Sequence, residues 1–374
     1  MRYYIIAGEA SGDLHGSNLI REMRKLDSNA EIRCWGGEMM QEAGAELVKH
    51  YSDLAFMGFA EVVINLPTIF RNLRFCKEDI LQFKPDAIIF IDYPGFNLRI
   101  AKWAKKQPFK TIYYISPQVW AWKANRVEGI KKSIDKMLVI LPFEKAFYKK
   151  WDYEVEYVGH PLVQVVEQFS VASQHPSAGG SLTPGSGQQI ALLPGSRKQE
   201  ILKKLPVMLE ASKSFPGYRF VVAKAPGLED AFYQTLLKAY PNVSSVSNQT
   251  YALLSNAYAA CVTSGTATLE TALFCVPEVV CYKGSSISYQ IAKRLIKVKF
   301  ISLVNLIMDK LVVQELIQDD FNVTSLTREL NKILSDASVR RQLHKDYAAL
   351  KDLLSMGGNA SANAAKSIFD FLSH

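Results

Sequence analysis

Cysteine is scarce and unpatterned in this chain of 374 residues. The five cysteines, Cys34, Cys76, Cys261, Cys275 and Cys281, show no CxxC spacing, and most lie in apolar runs. That excludes a zinc-ribbon ligand set and a disulfide framework, and predicts buried free thiols in a reducing compartment. No apolar run reaches the roughly 20 residues that span a bilayer. The strand-like Arg2-Tyr3-Tyr4-Ile5-Ile6-Ala7-Gly8 stands at the very start, so no signal peptide is expected before it. A cytosolic protein follows, able to lie on a membrane surface but not to cross it. No internal repeat is evident; the two halves share a rhythm and not a sequence.

Apolar residues make up 48% and charged residues 21%, a folded composition with enough chain for two domains. The 44 Lys and Arg exceed the 36 Asp and Glu, for a net charge of +8. A surplus of that size suits an anionic membrane, a phosphorylated substrate or nucleic acid, and also a merely soluble basic surface. The aromatic-plus-basic platform expected for single strands is not evident, so nucleic acid is set aside.

Short apolar runs alternate with amphipathic segments. Strand candidates fall at 2–7, 31–35, 86–92, 110–115, 136–140 and 154–158, with helices at 13–26, 96–106 and 143–150. A tract rich in Ser, Gly and Pro at 170–189 reads as a linker or loop. Alternation resumes with strands near 190–193, 218–223, 243–246, 259–263 and 278–282, and helices near 198–214, 229–239, 266–274, 324–335, 337–354 and 360–372. The pattern predicts an α/β protein of two doubly wound domains around a cleft: 1–169, then 190–355, with 356–374 packing on either.

The most informative stretch is Leu193-Pro194-Gly195-Ser196-Arg197. A strand enters a Pro-Gly turn, then a hydroxyl and a fixed cation, then a helix, which suits a phosphate or diphosphate. Ser264-Gly265-Thr266 opens a second helix after a strand, with Glu270 one turn inside, placed to accept from ribose hydroxyls. A plain N-cap by Ser264 is the simpler reading of that loop alone. In the first half, Gly8-Glu9-Ala10-Ser11-Gly12-Asp13 follows a strand without the GxGxxG spacing of a dinucleotide site; it is a ligand loop or a tight turn with Ser11 or Asp13 as cap. Asp92 ends a buried strand, where a carboxylate points out of the sheet as a general base or caps the turn before Pro94. Trp120 and Trp122 wall a sugar or acyl site, or anchor their loop. His160 is an active-site group or, by default, structural. Residues 54–75 are apolar with Arg71 and Arg74 interspersed, a membrane-dipping surface or a buried core segment in which Pro67 interrupts any helix.

These motifs, with Ile91-Asp92-Tyr93-Pro94-Gly95-Phe96-Asn97, Ser116-Pro117-Gln118-Val119-Trp120-Ala121-Trp122, Leu141-Pro142-Phe143-Glu144, Ala292-Lys293-Arg294-Leu295 and Ser302-Leu303-Val304-Asn305-Leu306, together resemble the lipid-A-disaccharide synthases, in order from about residue 3 to residue 320. The resemblance implies a GT-B glycosyltransferase with two Rossmann-like domains facing a central cleft. It implies a UDP-2,3-diacylglucosamine donor, a 2,3-diacylglucosamine 1-phosphate acceptor and a β-1,6-linked disaccharide product, formed with inversion. By the same resemblance Asp92 is the base and Glu9, Ser11 and Asp13 lie on the acceptor side. Gly195, Ser196, Arg197, Ser264, Gly265, Thr266, Glu270 and Asn305 hold the nucleotide. Phe56, Met57, Phe59, Leu66, Phe70, Arg71 and Arg74 form the acyl or membrane surface. No cofactor and no metal are expected, since no DxD motif suits a divalent ion. A peripheral place on the cytoplasmic face of the inner membrane and a homodimer are further implications. Gly95 departs from the family, which usually has Asp there, and the 170–189 tract looks lineage-specific. Two competing readings are a UDP-N-acetylglucosamine 2-epimerase and a non-catalytic nucleotide-sugar or lipid-binding protein.

Overall fold

The computed structural model describes residues 1–54, 66–172, 188–284 and 299–373. Two sheets are built, every pairing parallel. The first contains β1 (Arg2–Ala7), β2 (Glu31–Gly36), β3 (Glu46–His50), β4 (Ala87–Ile91), β5 (Lys110–Tyr114), β6 (Lys136–Val139) and β7 (Glu156–Tyr157), in the order β3-β2-β1-β4-β5-β6-β7. The second contains β8 (Gln189–Leu193), β9 (Arg219–Lys224), β10 (Val243–Ser247), β11 (Ala257–Thr263), β12 (Glu278–Tyr282) and β13 (Gln314–Ile317), in the order β10-β9-β8-β11-β12-β13. Central strands such as β4 and β11 are buried throughout, as continuous runs of Ile, Val, Ala and Phe require when helices cover both faces. Edge strands β3 and β13 escape a search for such runs. Glu46-Leu47-Val48-Lys49-His50 and Gln314-Glu315-Leu316-Ile317 are only partly covered, so they keep charged and polar residues.

The chain divides into two compact units, Met1–Pro161 with Ser355–His374, and Leu162–Leu354. This division falls ahead of the expected boundaries at 169 and 190. The helix Pro161–Ala172 clusters almost wholly with the second unit, where Phe169 packs edge-on against Tyr251 and Phe274, each at 5.8 Å. Within the tract, 173–187 lies outside the described residues. The last helix, Ala360–Ser373, packs on the helix Ala10–Leu26 of the first unit. Asn363 Nδ2 donates to the Val158 carbonyl at 3.1 Å and Ser367 Oγ donates to Glu156 at 2.5 Å. A Cβ on Gly357 would stand 2.3 Å from the Gly159 Cα, so the returning chain needs glycine to pass this close to another backbone.

Pro67 does not interrupt a helix. It sits in the first turn of Leu66–Phe83, where its missing N–H would be unpaired anyway. Leu73, Cys76, Ile80 and Phe83 of that helix are buried at helical spacing. Beneath them the fully buried Trp35 donates to the Tyr4 hydroxyl at 2.8 Å, which donates to Asp79 at 2.6 Å; Asp79 also pairs with Arg33 at 2.8 Å. This series of bonds pairs the Trp35 indole, the Tyr4 hydroxyl and the Asp79 carboxylate as they are buried. The four cysteines Cys34, Cys76, Cys261 and Cys281 are buried, Cys275 is partly buried, and all five are free thiols.

Asp13 is almost fully buried within the helix Ala10–Leu26 and does not cap it. Its carboxylate accepts from the backbone N–H groups of Gly37 at 2.8 Å, Met40 at 3.0 Å and Met39 at 3.2 Å, and so caps the helix Glu38–Glu42. Asp13→Ala leaves these donors unpaired and should cost on the order of 1–3 kcal/mol, read as a lower denaturant midpoint; an unchanged midpoint would show that the cap contributes nothing.

Candidate functional site

In a doubly wound sheet all strand carboxyl ends open on one edge, and ligands sit where the strand order reverses. In the first sheet that point lies between β1 and β4. Loop 8–11 leaves β1, and loop 92–93 leaves β4. A Cβ on Gly8 would fall 2.3 Å from the Tyr93 ring, so glycine is what lets Tyr93 lie across the loop. Glu9 occupies the N-cap position of Ala10–Leu26 without a side-chain cap bond, and Ser11 is exposed.

Asp92 and Tyr93 are consecutive left-handed residues, φ 43° and 49°. Such backbone costs on the order of 1–3 kcal/mol per residue and persists only when its surroundings hold it. The Asp92 carbonyl accepts from Asn97 Nδ2 at 2.7 Å and from the Tyr113 hydroxyl at 2.5 Å. The same Asn97 amide reaches the carbonyls of Ile6 and Ile91, each at 3.3 Å, so one buried side chain pins the ends of β1 and β4 and the turn between. Burial, with the charge of Glu9 adding to it, pushes the Asp92 carboxyl up to about 7, against the Tyr93 N–H bond that favours its ionised form. A carboxyl poised near neutrality is suited to accept a proton. Gly95 is the second residue of the following helix, Pro94–Ala104, exposed, and a Cβ there meets nothing within 4 Å. Packing therefore does not exclude the family's Asp at that position.

The next two loops of this rim meet at Glu144. Its buried carboxylate accepts from the N–H groups of Leu141 at 2.9 Å and Ile140 at 3.3 Å, and from Trp120 Nε1 at 3.3 Å. Trp120 also packs edge-on against Phe143 at 5.0 Å. Ile115, which leads into the Trp120 loop, is left-handed at φ 67°, a strained state for a β-branched residue. Glu144 and Asn97 both stand in motifs quoted above, yet nothing in their residue types announced these roles. His160 and His15 are buried, and burial lowers them to about 3 and about 4, with the charge of His15 adding to the lowering of His160. Both stay neutral near pH 7, which fits a structural His160.

In the second sheet the order reverses between β8 and β11, and loops 194–197 and 264–265 leave those strands. Gly195 is left-handed at φ 121°, and a Cβ there would lie 2.6 Å from Glu200 Oε2. Ser196 is exposed; Arg197 stands at the N-cap position of Lys198–Ser212 with its guanidinium 3.4 Å from Glu200. Lys204 follows on the same helix, its Nζ 3.9 Å from Glu200, with burial lowering its pKa. Sequence reasoning missed this lysine, since only tertiary packing shows that it is buried. Gly265, φ 153°, precedes the helix Thr266–Leu273. Ser264 Oγ donates to the Ile301 carbonyl at 3.0 Å. Two helix N-termini thus open on this rim beside cationic side chains, an arrangement fit for a diphosphate.

Glu270 accepts from the Tyr251 hydroxyl at 2.9 Å, and burial raises its pKa. Asn305 is saturated: its amide nitrogen donates to Val313 and Glu315, and its oxygen accepts from the N–H groups of Val312 and Val313. It braces the turn at 309–313 and has no bond left for a ligand in this conformation. Phe56, Met57 and Phe59 lie outside the described residues. Leu66 begins its helix; Phe70 is 63% exposed, and Arg71 and Arg74 are exposed with Arg74 paired to Glu78 at 2.8 Å. Among the described residues no helix is long and apolar enough to cross a membrane, and no group of three or more His, Cys, Asp or Glu is placed to hold a metal ion.

Two doubly wound parallel sheets, each with ligand-type loops at its reversal point, define the GT-B class of glycosyltransferases and epimerases. Solved structures of that class are similar over the full length. They include a UDP-GlcNAc 2-epimerase from Neisseria meningitidis bound to UDP-GlcNAc, at TM-score 0.66 and 13% identity, covering 100% of both chains. The glycotransferase of kitacinnamycin matches at TM-score 0.64 and 16% identity, covering 99% of this chain and 98% of that one. The sequence decides between the branches. The family model for lipid-A-disaccharide synthetase matches residues 3–369, and the lipid-A-disaccharide synthase of Geobacter sulfurreducens is 38% identical over 96% of this chain and 94% of its own. This chain belongs to the lipid-A-disaccharide synthetase family and is a glycosyltransferase.

Burial raises Glu144 to about 7 from an ordinary 4.5, against its hydrogen bonds. A raised folded-state value stabilises fully below the unfolded pKa and is lost as pH rises through the folded one. Global stability should therefore fall by up to about 3 kcal/mol between about pH 4.5 and about pH 7 from this group. Glu144→Gln should flatten that part of the profile in urea titrations; an unchanged slope would remove Glu144 as its source.

Proposed function

We propose that this protein transfers 2,3-diacylglucosamine from its UDP donor to 2,3-diacylglucosamine 1-phosphate, giving a β-1,6-linked disaccharide 1-phosphate and UDP. Family membership supports the reaction, and one observation carries the mechanism: Asp92, held in a strained turn at the reversal point of the first sheet, with its carboxyl raised to about 7. In this reading Asp92 takes the proton of the acceptor 6-hydroxyl as that oxygen attacks the anomeric carbon of the donor. The bond from that carbon to the diphosphate oxygen breaks on the opposite side, so one displacement inverts an α-linked donor to a β-linked product. The negative charge gathering on the diphosphate is met by Arg197 and by the helix N-termini after Gly195 and Gly265, with no metal in the scheme. Ser196, Ser264 and Thr266 line the same loops, and Glu270 accepts from the ribose hydroxyls. Asn305, saturated internally, acts as a positioning residue for that region.

Glu9 holds up the pKa of the base and, with Ser11, faces the acceptor; Asp13 supports them through the cap it provides. Acyl chains or the cytoplasmic face of the inner membrane meet the exposed Phe70, Arg71 and Arg74, together with Phe56, Met57, Phe59 and Leu66; an apolar side chain flanked by arginines suits an anionic lipid surface. A homodimer completes the proposal. The epimerase reading keeps the fold but loses to family membership.

Mass spectrometry of the purified protein with the UDP donor and the monosaccharide phosphate should show the disaccharide phosphate; UDP-N-acetylmannosamine formed from UDP-N-acetylglucosamine without acceptor would decide for the epimerase. Asp92→Asn should lower kcat by about a hundredfold or more with UDP affinity retained; full turnover would remove it as the base. In the parent enzyme kcat/KM should rise with pH through about 7 as Asp92 ionises. Arg197→Ala should weaken UDP binding and turnover together, by about tenfold or more; intact UDP affinity would count against its phosphate role.

A further inference from the structure

Glu270, on the helix Thr266–Leu273, is partly exposed, and its two carboxyl oxygens are used unequally. Oε1 accepts from the Tyr251 hydroxyl at 2.9 Å, while Oε2 has no hydrogen-bond partner among the described residues. The torsion that turns a carboxylate is soft, so a bond to one oxygen is what fixes the direction of the other. Tyr251 is itself held. It is the second residue of the short helix Thr250–Asn256, and its ring packs on Phe274 at 5.5 Å and edge-on to Phe169 at 5.8 Å. Phe169 and Phe274 also meet edge-on at 5.8 Å, and the Phe274 N–H donates to the Glu270 carbonyl at 3.0 Å. The ring that seats Tyr251 therefore closes the turn that carries Glu270. A side chain serving only to join the two helices would cost less as an amide, which accepts the same bond with no charge to desolvate.

We propose that Tyr251 is a positioning residue for nucleotide recognition: its hydroxyl aims Glu270 Oε2 at the ribose hydroxyls of UDP and so makes this chain select a ribonucleotide. The proposal rests on the reading of Glu270 as the ribose ligand and adds the group that fixes its geometry. Glu270 stands about one turn, roughly 5 Å, along its helix from the N-terminus that faces the diphosphate. That is the span from a diphosphate to the ribose joined to it. Vicinal hydroxyls can then donate to Oε2 and to the remaining lone pair of Oε1. The tyrosine hydroxyl also favours the ionised carboxylate, the better acceptor, against the burial that opposes it.

The test is isothermal titration of the full chain with UDP and with 2′,3′-dideoxy-UDP, which keeps the base and the diphosphate and lacks both hydroxyls. The parent chain should prefer UDP by about tenfold or more. Tyr251→Phe removes the hydroxyl and keeps the ring that packs on Phe169 and Phe274. It should weaken UDP by about fivefold or more and leave the dideoxy analogue within about twofold, so that the preference shrinks. In a Glu270→Ala chain the two nucleotides should bind alike, and adding Tyr251→Phe should change neither, because the group it positions is gone. A tyrosine that only ties two helices together would weaken both nucleotides equally in Tyr251→Phe, or lower the melting temperature and leave the preference intact; either result overturns the proposal. So does a further loss of UDP affinity when Tyr251→Phe is added to Glu270→Ala. Equal binding of the two nucleotides by the parent chain would remove Glu270 as the ribose ligand and the proposal with it, whereas a parent preference kept in full by Tyr251→Phe overturns the positioning role alone.

Discussion

A side-chain amide holds the first unit's chemistry in place. Asn97 bonds to the carbonyls at the ends of β1 and β4 and to the carbonyl of Asp92, so the turn that carries Asp92 cannot relax out of the left-handed region. The hydroxyl of Tyr113, from β5, grips the same carbonyl. Without these bonds the sheet would still form, since its strands are buried Ile, Phe and Tyr. The carboxylate at its edge would have no fixed direction, and a proton acceptor misplaced by about an ångström loses much of its effect. The strain at Asp92 and the polar groups buried to maintain it are two sides of one arrangement.

The two units apply one rule to different chemistry. In each, parallel strands deliver their loops to one edge, and the reversal of strand order parts two of those loops. In the first unit the gap is acidic, Glu9 with Asp92, and mutual repulsion with burial keeps a proton affinity near neutrality. In the second it is cationic, Arg197 with the buried Lys204, beside two helix N-termini. One edge is suited to take a proton and the other to hold a leaving group's charge. The opposite end of the second sheet carries the buried Glu278, whose carboxyl oxygens have no hydrogen-bond partner.

Much of this was legible in the residues. The strand–loop–helix passages at Gly8, Asp92, Gly195 and Gly265 announce themselves through glycine, proline and a flanking apolar run, all properties of neighbours in sequence. The edge strands β3 and β13 did not, because half-covered strands keep polar residues. Pro67 misled, because a proline that breaks a helix interior is harmless in a first turn, and only the boundary distinguishes the two. Asp13 and Asn305 look like ligand groups by type, yet their bonds go to backbone brought from elsewhere in the chain.

The sequence by itself determined the fold class, the family and the positions of the loops, because periodicity, turn residues and motif order are local and survive without coordinates. The tertiary structure alone decided which polar side chains are spent on the protein: Asn97 and Glu144 as braces, Asp13 as the cap of a neighbouring helix, Lys204 and Glu278 as buried titratable groups. That division follows from desolvation and hydrogen-bond pairing between segments far apart in the chain, which residue type and spacing do not encode.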